Sequence, residues 1–456
     1  MPIIALVPFV ALLAQQPASS SSLDFEYFKT KVQPILLAKR DGHARCVSCH
    51  TTGTPMRFQP LSPGAAMWNE EESRKNFEVV RPRVVTGNPL KSKLLTHPLA
   101  EQAGGDVSHD GGKHWMSQDD PEFQVLAAWV RGETRNQTTA APNKVRIIQT
   151  NSAGDSVSII DPVANKVVGE VKGIEVNHGA AAAPDGSRLY VSNEAESTLD
   201  VVDGKTLKVT NKIKLSGHPN NISISRDGRR VYVSIAQAPG AVDVIDTVTL
   251  QRVKSINVRG NVHNTYVTPD GKFVVAGSVV GKTLTVIDAQ TDDIAWVLDF
   301  SLGVRPMAFE KNTDGSTKRI FVQLSDFNGF AVVDFATHKE VTRVELPKLA
   351  PGKAPFLGGG NVSHGLAVTE DGKMLVVNSR LNSSVYAYSL PDLKLLGSAE
   401  VGKAPDWVTL TPDGKRAYVA NAQSNSVSVI DLQAMKEVTR IPVGQVPKRN
   451  ITALLP

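Results

Sequence analysis

Hydrophobic and polar residues alternate through about two thirds of the chain, in short runs that are separated by Asp-Gly pairs. The stretch Arg416–Asn421 shows this alternation, and a similar run follows at Ser426–Asp431. A period of two residues bounded by turn residues is typical of half-buried β-strands, and Asp-Gly pairs favour tight hairpin turns. The pattern predicts an all-β region from residue 144 to residue 456.

This strand pattern recurs with a period of about 42 residues, which is typical of four-stranded propeller blades. The repeats predict a seven-bladed β-propeller, closed by a surplus C-terminal strand at Ile451–Leu455, since closure removes both open sheet edges. The predicted second strands of the blades are Arg146–Asn151, Arg188–Asn193, Arg230–Ile235, Phe273–Ser278, Arg319–Leu324, Met374–Ser379 and Arg416–Asn421.

Residues 23–132 have a helical pattern instead. Apolar residues recur at helical spacing between Phe25 and Leu36, which predicts a helix with one apolar face. Near the end of this region, Asp120 can cap a helix whose first residue is Pro121. We therefore expect a small all-α domain over residues 23–132, so that the whole chain is a multidomain protein.

Two segments stand apart from these regions. The stretch Met1–Ala14 is almost wholly apolar, and polar residues follow as far as residue 22. This pattern is typical of a signal peptide, and an uncleaved N-terminal anchor is the alternative for residues 1–22. Residues 133–143 are polar and lack apolar periodicity, which indicates an interdomain linker. We expect a periplasmic or otherwise extracytoplasmic protein that touches a membrane only through such an anchor.

The charge distribution bears on partners. A formal net charge of +5 results from 50 basic and 45 acidic residues, which are spread without a run of like charge. Nucleic-acid-binding domains concentrate basic residues in a patch or stripe. The even distribution therefore predicts no nucleic-acid partner.

The chain has two cysteines, Cys46 and Cys49, and His50 follows the second one. The C-x-x-C-H spacing is the signature of c-type haem attachment, because two thiols at this spacing reach the two porphyrin vinyl groups while the imidazole binds the iron. A zinc site would need further ligands at short spacing, and a redox dithiol would need a βαβ setting. We predict one covalent haem c.

The order of motifs in this region resembles the cytochrome c domains common in exported proteins of planctomycetes and acidobacteria. The matching segments are Val32–Leu36, Cys46–His50, Gly87–Leu94 and a terminal helix with Trp129. In that family a methionine shortly before the last helix usually supplies the sixth ligand of the haem iron. The resemblance therefore implies such a ligand in this chain.

The sixth ligand departs from the family pattern, because His109, His114 and Met116 stand where a Met-Pro pair is usual. His109 lies about where the family methionine would lie, and its neighbouring glycines allow the backbone to approach the haem. Met116 is the second candidate, and an open or otherwise ligated iron is the third. We interpret His97 as a structural histidine.

The strand repeats resemble the family named for its Tyr-Val-Thr-Asn motif, which Tyr190–Asn193 and Tyr418–Asn421 match approximately. This resemblance implies the propeller fold. It leaves function open, because lactonases, haem enzymes and surface-binding proteins share such propellers.

One polar residue in each repeat occupies the same place near the start of the innermost strand, at spacings of 42 or 43 residues except one of 59. Innermost strands line the central channel, so these side chains should converge on one mouth and form a ligand site. The alternative is that each residue caps its strand. The seven residues are His178, Asn220, His263, Arg305, His364, Asp406 and Lys448.

These features support three hypotheses about function. The first is a c-type cytochrome for electron transfer, whose propeller binds a redox partner or a small molecule, with a second metal or cofactor at the mouth as an option. The second is a haem-dependent oxidoreductase, similar to nitrite reductases in which a cytochrome c domain feeds a second haem on an eight-bladed propeller. The third is a lactonase-like hydrolase, against which the haem domain argues, since hydrolysis needs no electron relay.

Overall fold

The computed structural model describes residues 23–40, 43–51, 54–62, 64–65, 67–107, 109–132, 144–349, 351–355 and 362–456. The chain divides into two compact units, Met1–Pro142 and Asn143–Pro456. The predicted N-terminal segment and the predicted linker lie outside the described residues. Within the described part, no helix is long and apolar enough to cross a membrane.

The described part of the N-terminal unit consists of helices and turns, with strand pairing limited to isolated bridges. A continuous helical segment comprises α1 (Phe25–Tyr27), a π-helical turn (Phe28–Val32) and α2 (Gln33–Leu37). The further helices are α3 (Cys46–Cys49), α4 (Glu70–Val80), α5 (Lys93–Thr96) and α6 (Pro121–Val130), and the 3-10 turns are Arg81–Arg83, Pro89–Lys91 and Glu101–Ala103. The assignment of residues 23–132 to a cytochrome c domain stays a prediction.

Aromatic side chains build the core of this unit. The rings of Phe28 and Trp129 are fully buried, with their centroids 5.5 Å apart. The indole N–H of Trp129 donates to the backbone carbonyl of Asp24 at 2.8 Å. Helix α6 begins at Pro121 after the capping residue Asp120, as the sequence predicts. The first and last helices are thereby joined in one core.

The second unit is a propeller of seven four-stranded antiparallel sheets, which confirms the predicted blade number. The innermost strands are β4 (Asn177–Ala182), β8 (Pro219–Ile224), β12 (Val262–Val267), β16 (Val304–Lys311), β20 (Ser363–Val368), β24 (Pro405–Leu410) and β28 (Pro447–Leu455). The second strands are β1 (Lys144–Asn151), β5 (Arg188–Asn193), β9 (Arg230–Ile235), β13 (Phe273–Ser278), β17 (Thr317–Leu324), β21 (Met374–Ser379) and β25 (Arg416–Asn421).

The outer half of each blade follows the same order. The third strands are β2 (Ser156–Asp161), β6 (Thr198–Asp203), β10 (Ala241–Asp246), β14 (Thr283–Asp288), β18 (Gly329–Asp334), β22 (Ser384–Ser389) and β26 (Ser426–Asp431). The outermost strands are β3 (Lys166–Lys172), β7 (Val209–Lys214), β11 (Gln251–Asn257), β15 (Ile294–Asp299), β19 (Lys339–Glu345), β23 (Leu395–Glu400) and β27 (Lys436–Pro442). Second and third strands are mostly buried, because neighbouring blades cover both of their faces.

The C-terminal strand β28 pairs with β1, so the first blade combines both ends of the propeller sequence. Its register runs from Lys144 opposite Leu455 to Asn151 opposite Pro447. The innermost strands of successive blades contact one another around the whole ring, including β28 with β4. The ring is therefore closed and its central channel is lined by seven innermost strands.

Candidate functional site

A cavity of about 440 Å³ lies in the N-terminal unit beside the Cys46–His50 segment. Its volume is within the range of about 300–1,000 Å³ that is usual for small-molecule and cofactor sites. Thiol, imidazole, apolar and cationic groups line it together. The lining includes Leu36, Arg45, Cys46, Cys49, His50, Met56, Arg83, Lys93, Leu94, His97, His109, His114, Trp115 and Leu126.

Both cysteines are free thiols on the single turn of helix α3, where positions three apart share one face. Cys49 is exposed and Cys46 is partly buried. Burial raises the pKa of the Cys46 thiol, and the nearby Arg40 only partly offsets this effect. The thiols are therefore adjacent and reduced at the edge of the cavity.

His50 is oriented by its own chain. Its Nδ1 lies 3.0 Å from the carbonyl oxygen of Met56 and 3.1 Å from the hydroxyl of Thr54. An Nδ1–H that donates to a carbonyl leaves Nε2 with the lone pair that binds a metal. Burial lowers the pKa of His50 and favours the neutral imidazole that ligation requires.

His109 lies opposite His50 in the same cavity. The two rings have their centroids 6.4 Å apart and an interplanar angle of 16°. Imidazoles on opposite sides of one iron have centroids separated by roughly 6 Å, since each metal–nitrogen bond is about 2 Å. Nδ1 of His109 lies 2.7 Å from the carbonyl oxygen of Gly112, which again leaves Nε2 for a ligand.

The other candidates for the sixth ligand differ in their positions. Met116 is 65% exposed, and it is not among the residues that line the cavity. His114 lines the cavity, where burial lowers its pKa to about 4. His97 also reaches the cavity, and its Nδ1 lies 2.6 Å from a carboxylate oxygen of Asp106. The structure therefore brings three histidines, and not Met116, to the side facing His50.

The second predicted site is the propeller mouth, which we define as the seven residues proposed from the repeat. Each is the second residue of its innermost strand. The pairing register with the neighbouring strand shifts at or beside this position in every blade. A bulge of this kind redirects a side chain that regular alternation would place elsewhere.

Two histidines of the mouth pack against each other. The rings of His263 and His364 are 5.7 Å apart at an angle of 89°, and Nδ1 of His364 lies 2.8 Å from the carbonyl oxygen of Asp406. Burial lowers the pKa of His364 to about 3. Burial likewise holds the pKa of His263 well below its ordinary value, and the positive charge of Arg449 adds to the shift. Both imidazoles are therefore neutral at physiological pH.

Asp406 is the only carboxylate of the predicted seven and is 1% exposed. Arg380 forms an ion pair with it, and Nζ of Lys448 lies 3.0 Å from its second oxygen. Burial by itself raises the pKa of Asp406, but the neighbouring imidazole and the two cations lower it below its ordinary value. This carboxylate is thus ionised and already matched by positive charge.

The structure adds residues to the mouth that sequence reasoning missed. Nδ1 of His178 lies 2.8 Å from a carboxylate oxygen of Glu194, and Arg305 donates to the hydroxyl of Ser325 at 3.0 Å. Glu194, Ser325 and Arg380 each directly follow the second strand of a blade. The signal that would have found them is therefore a second position in the same repeat.

Arg449, the residue after Lys448, is the other missed group. It is 3% exposed, and its guanidinium lies 4.7 Å from the ring centre of Trp407. One of its terminal nitrogens donates to the side-chain oxygen of Asn264 at 3.2 Å. Burial lowers the pKa of Arg449 to about 10, so the side chain remains charged at neutral pH.

The propeller was then compared with known proteins. The family model of the cytochrome D1 haem domain matches residues 142–452. The chain belongs to the cytochrome D1 haem domain family. This membership supports haem binding, whereas the repeat family inferred from the Tyr-Val-Thr-Asn motif stays a prediction. A comparison with curated protein sequences finds no match.

Solved structures with similar folds include other propellers. Hydrazine synthase of Kuenenia stuttgartiensis aligns at 26% identity with a TM-score of 0.55, covering 65% of this chain and 97% of that chain. The periplasmic gluconolactonase PpgL of Pseudomonas aeruginosa aligns at 18% identity with a TM-score of 0.57, covering 69% and 100%. A putative 6-phosphogluconolactonase of Bacteroides fragilis aligns at 16% identity with a TM-score of 0.56, covering 69% and 99%. The likeness to the two lactonases shows the fold alone.

Membership in the cytochrome D1 haem domain family requires a test of whether the mouth suits a haem. His178 has Nδ1 beside Glu194, so Nε2 is available as an axial ligand. Arg305 and Arg449 supply positive charge for porphyrin carboxylates. The side-chain oxygen of Asn220 and Nε of Arg449 are buried without a hydrogen-bond partner. These donors fit a haem, whereas no group of three or more His, Cys, Asp or Glu in the described residues is arranged to hold a bare metal ion.

The low pKa of His364 predicts a pH-dependent stability of this cytochrome D1 haem domain. An unfolded histidine has a pKa of about 6.5, so between this pH and about 3 the unfolded chain binds a proton that the native chain does not. The free energy of unfolding should therefore fall as the pH is lowered through this window. We expect His364→Gln to reduce the slope by up to about 1.4 kcal/mol per pH unit.

Urea unfolding followed by circular dichroism at several pH values measures this slope. The exposed His218 provides the matched control His218→Gln, which should keep the wild-type slope. Equal slopes in wild type and His364→Gln would contradict the prediction.

Proposed function

We propose that this protein is an extracytoplasmic haem protein of electron transfer, with one covalent haem c in the N-terminal unit. In this proposal Cys46 and Cys49 attach the porphyrin, while His50 and His109 are the axial ligands of the iron. One observation carries the proposal: both thiols and both imidazoles line a single cavity, and each imidazole has Nδ1 held by a backbone carbonyl.

Attachment requires no oxidant. Each thiol adds across a vinyl group, so that a carbon–sulfur bond forms and the thiol hydrogen ends on the other vinyl carbon. Helix α3 sets the spacing of the two sulfur atoms. The raised pKa of Cys46 keeps this thiol protonated before it reacts. Two thioether bonds would then hold the group in a cavity that is open at Cys49.

The haem supplies a reversible one-electron change between ferrous and ferric iron. The residues around it set the conditions for that change. The hydrogen bonds from Nδ1 of His50 and His109 fix both rings and increase their basicity. Apolar side chains such as Leu36, Leu94 and Leu126 exclude water from the cavity, and Arg83 and Lys93 provide counter-charges for the propionates.

A second candidate function is an oxidoreductase whose active site lies on the propeller. Two observations favour it: the match to the cytochrome D1 haem domain, and the mouth with His178 held by Glu194. The likeness to hydrazine synthase, itself named as a redox enzyme, supports the same class of chemistry. The lactonase-like hydrolase has support only from the fold.

The partner and location belong to the same proposal. The electron partner is a redox protein or a small molecule that binds at the mouth. The apolar stretch at Met1–Ala14 supports export. No part of the proposal requires nucleic acid.

Replacing both Cys46 and Cys49 by Ala should abolish covalent haem. The expected result is one haem per chain in the wild type and none in the double variant, measured by pyridine haemochrome spectra after extraction with acidified acetone. Ser48→Ala, an exchange between the two cysteines, is the matched control and should keep the haem. Complete extraction of haem from the wild type would overturn covalent attachment.

The sixth ligand is tested separately. His109→Ala should convert the low-spin ferric spectrum into a high-spin one, because the second imidazole is lost. Met116→Leu should leave the low-spin spectrum unchanged, since Met116 is exposed away from the cavity. If Met116→Leu gives the high-spin spectrum and His109→Ala does not, the ligand is Met116.

A further inference from the structure

The propeller mouth holds more buried positive charge than its carboxylates neutralise. In the described residues, no carboxylate lies within 4.0 Å of the guanidinium of Arg305 or Arg449. Arg305 is half-buried and donates to Ser325. Arg449 is 3% exposed and donates to the neutral Asn264. Both arginines therefore have neutral hydrogen-bond partners only.

The acidic groups nearby are already occupied. Asp406 pairs with Arg380 and Lys448, and Glu194 lies against His178. Hydrogen bonding to His178 lowers the pKa of Glu194, so this carboxylate is ionised where it stands. Neither carboxylate can move to an arginine without breaking a contact it has. The excess charge of the mouth therefore has no counter-charge among these groups.

Both guanidiniums act on the same place. The positive charges of Arg305 and of Arg449 each lower the pKa values of His263 and of His364, whose rings are in contact. The two arginines thus flank this pair of neutral imidazoles. Imidazole N–H groups add hydrogen-bond donors to the charge.

A buried guanidinium without a counter-ion is costly, because the charge has lost water without gaining an ion pair. Nε of Arg449 is buried and has no hydrogen-bond partner, and the same is true of the side-chain oxygen of Asn220. An anion at the mouth would remove both costs. Planar carboxylates and oxoanions match the fork of guanidinium donors.

We propose that the propeller mouth is a binding site for a small carboxylate or oxoanion, held by Arg449 and Arg305 as counter-charges. The site is distinct from the haem cavity of the N-terminal unit and does not rest on the function proposed for that cavity. The carboxylate has two sources: a free anion or the carboxylate groups of a tetrapyrrole. Both use the same two arginines.

Anion titration of the purified, haem-loaded full-length protein tests the free anion. Sodium acetate, gluconate, nitrite and phosphate are compared with sodium chloride at equal ionic strength, with thermal unfolding and calorimetry as readouts. A bound anion should raise Tm by about 5 °C at a hundredfold excess over Kd. Arg449→Gln and Arg305→Gln should each weaken binding roughly 10- to 100-fold.

Two further variants distinguish a ligand site from a structural role. The exposed Arg229 gives the matched control Arg229→Gln, which should bind like the wild type. Arg449→Met removes the buried charge, so it should abolish the rise in Tm by anions while keeping the Tm in chloride. An equal loss of Tm in chloride and in the other salts would assign Arg449 a structural role and overturn the proposal.

The tetrapyrrole source has its own readout. If the carboxylates belong to a haem, the wild type should release one non-covalent haem into acidified acetone, and Arg449→Gln should retain much less of it. If the wild type releases no haem and none of the four anions changes Tm or gives heat, the mouth is not an anion site. The N-terminal haem spectrum is unaffected in either case, so failure here is separate from failure of the proposed electron transfer.

Discussion

The pairing of β28 with β1 is the constraint on which the rest of the propeller depends. It joins segments that lie about 300 residues apart, and it includes a hydrogen bond from the backbone N–H of Arg449 to the hydroxyl of Thr150 at 3.0 Å. Without this pairing the first blade would lack its innermost strand. The same strand carries Lys448 and Arg449, so closure of the ring also delivers two cations to the mouth.

Shifts of strand register turn this closed ring into a site. In a regular strand, side chains alternate between the two faces of a blade and pack against its neighbours. At the second residue of each innermost strand the register shifts, and a different side chain is presented in each blade. Gly365 illustrates the closeness of the strands there, since a Cβ at this position would lie 2.7 Å from the carbonyl oxygen of Asp406. One backbone device therefore supplies seven chemically different groups.

The two sites use burial of imidazole in the same direction. In the N-terminal cavity burial lowers the pKa of His50, which keeps Nε2 free to bind a metal. In the mouth burial lowers the pKa values of His263 and His364, so the positive charge comes from arginine and lysine instead. The mouth can therefore stay cationic without depending on a histidine proton, which suits a ligand that must bind at neutral pH.

Local patterns in the sequence determined the secondary structure, the number of blades, and the adjacency of Cys46, Cys49 and His50. These features depend on residues close together in the chain, where alternation, turn residues and short spacings act directly. The period of the repeat also located the seven mouth residues, because equal positions in equal blades must lie at one end of the channel.

Tertiary structure alone decided which side chains meet. It placed His109 opposite His50 and left Met116 exposed, a choice between neighbours seven residues apart that no local pattern encodes. It also brought Arg449 to Asn264 and Arg380 to Asp406, pairs from different blades. The physical reason is that burial and the cost of an unpaired charge depend on everything that surrounds a group, and those surroundings exist only after the ring has closed.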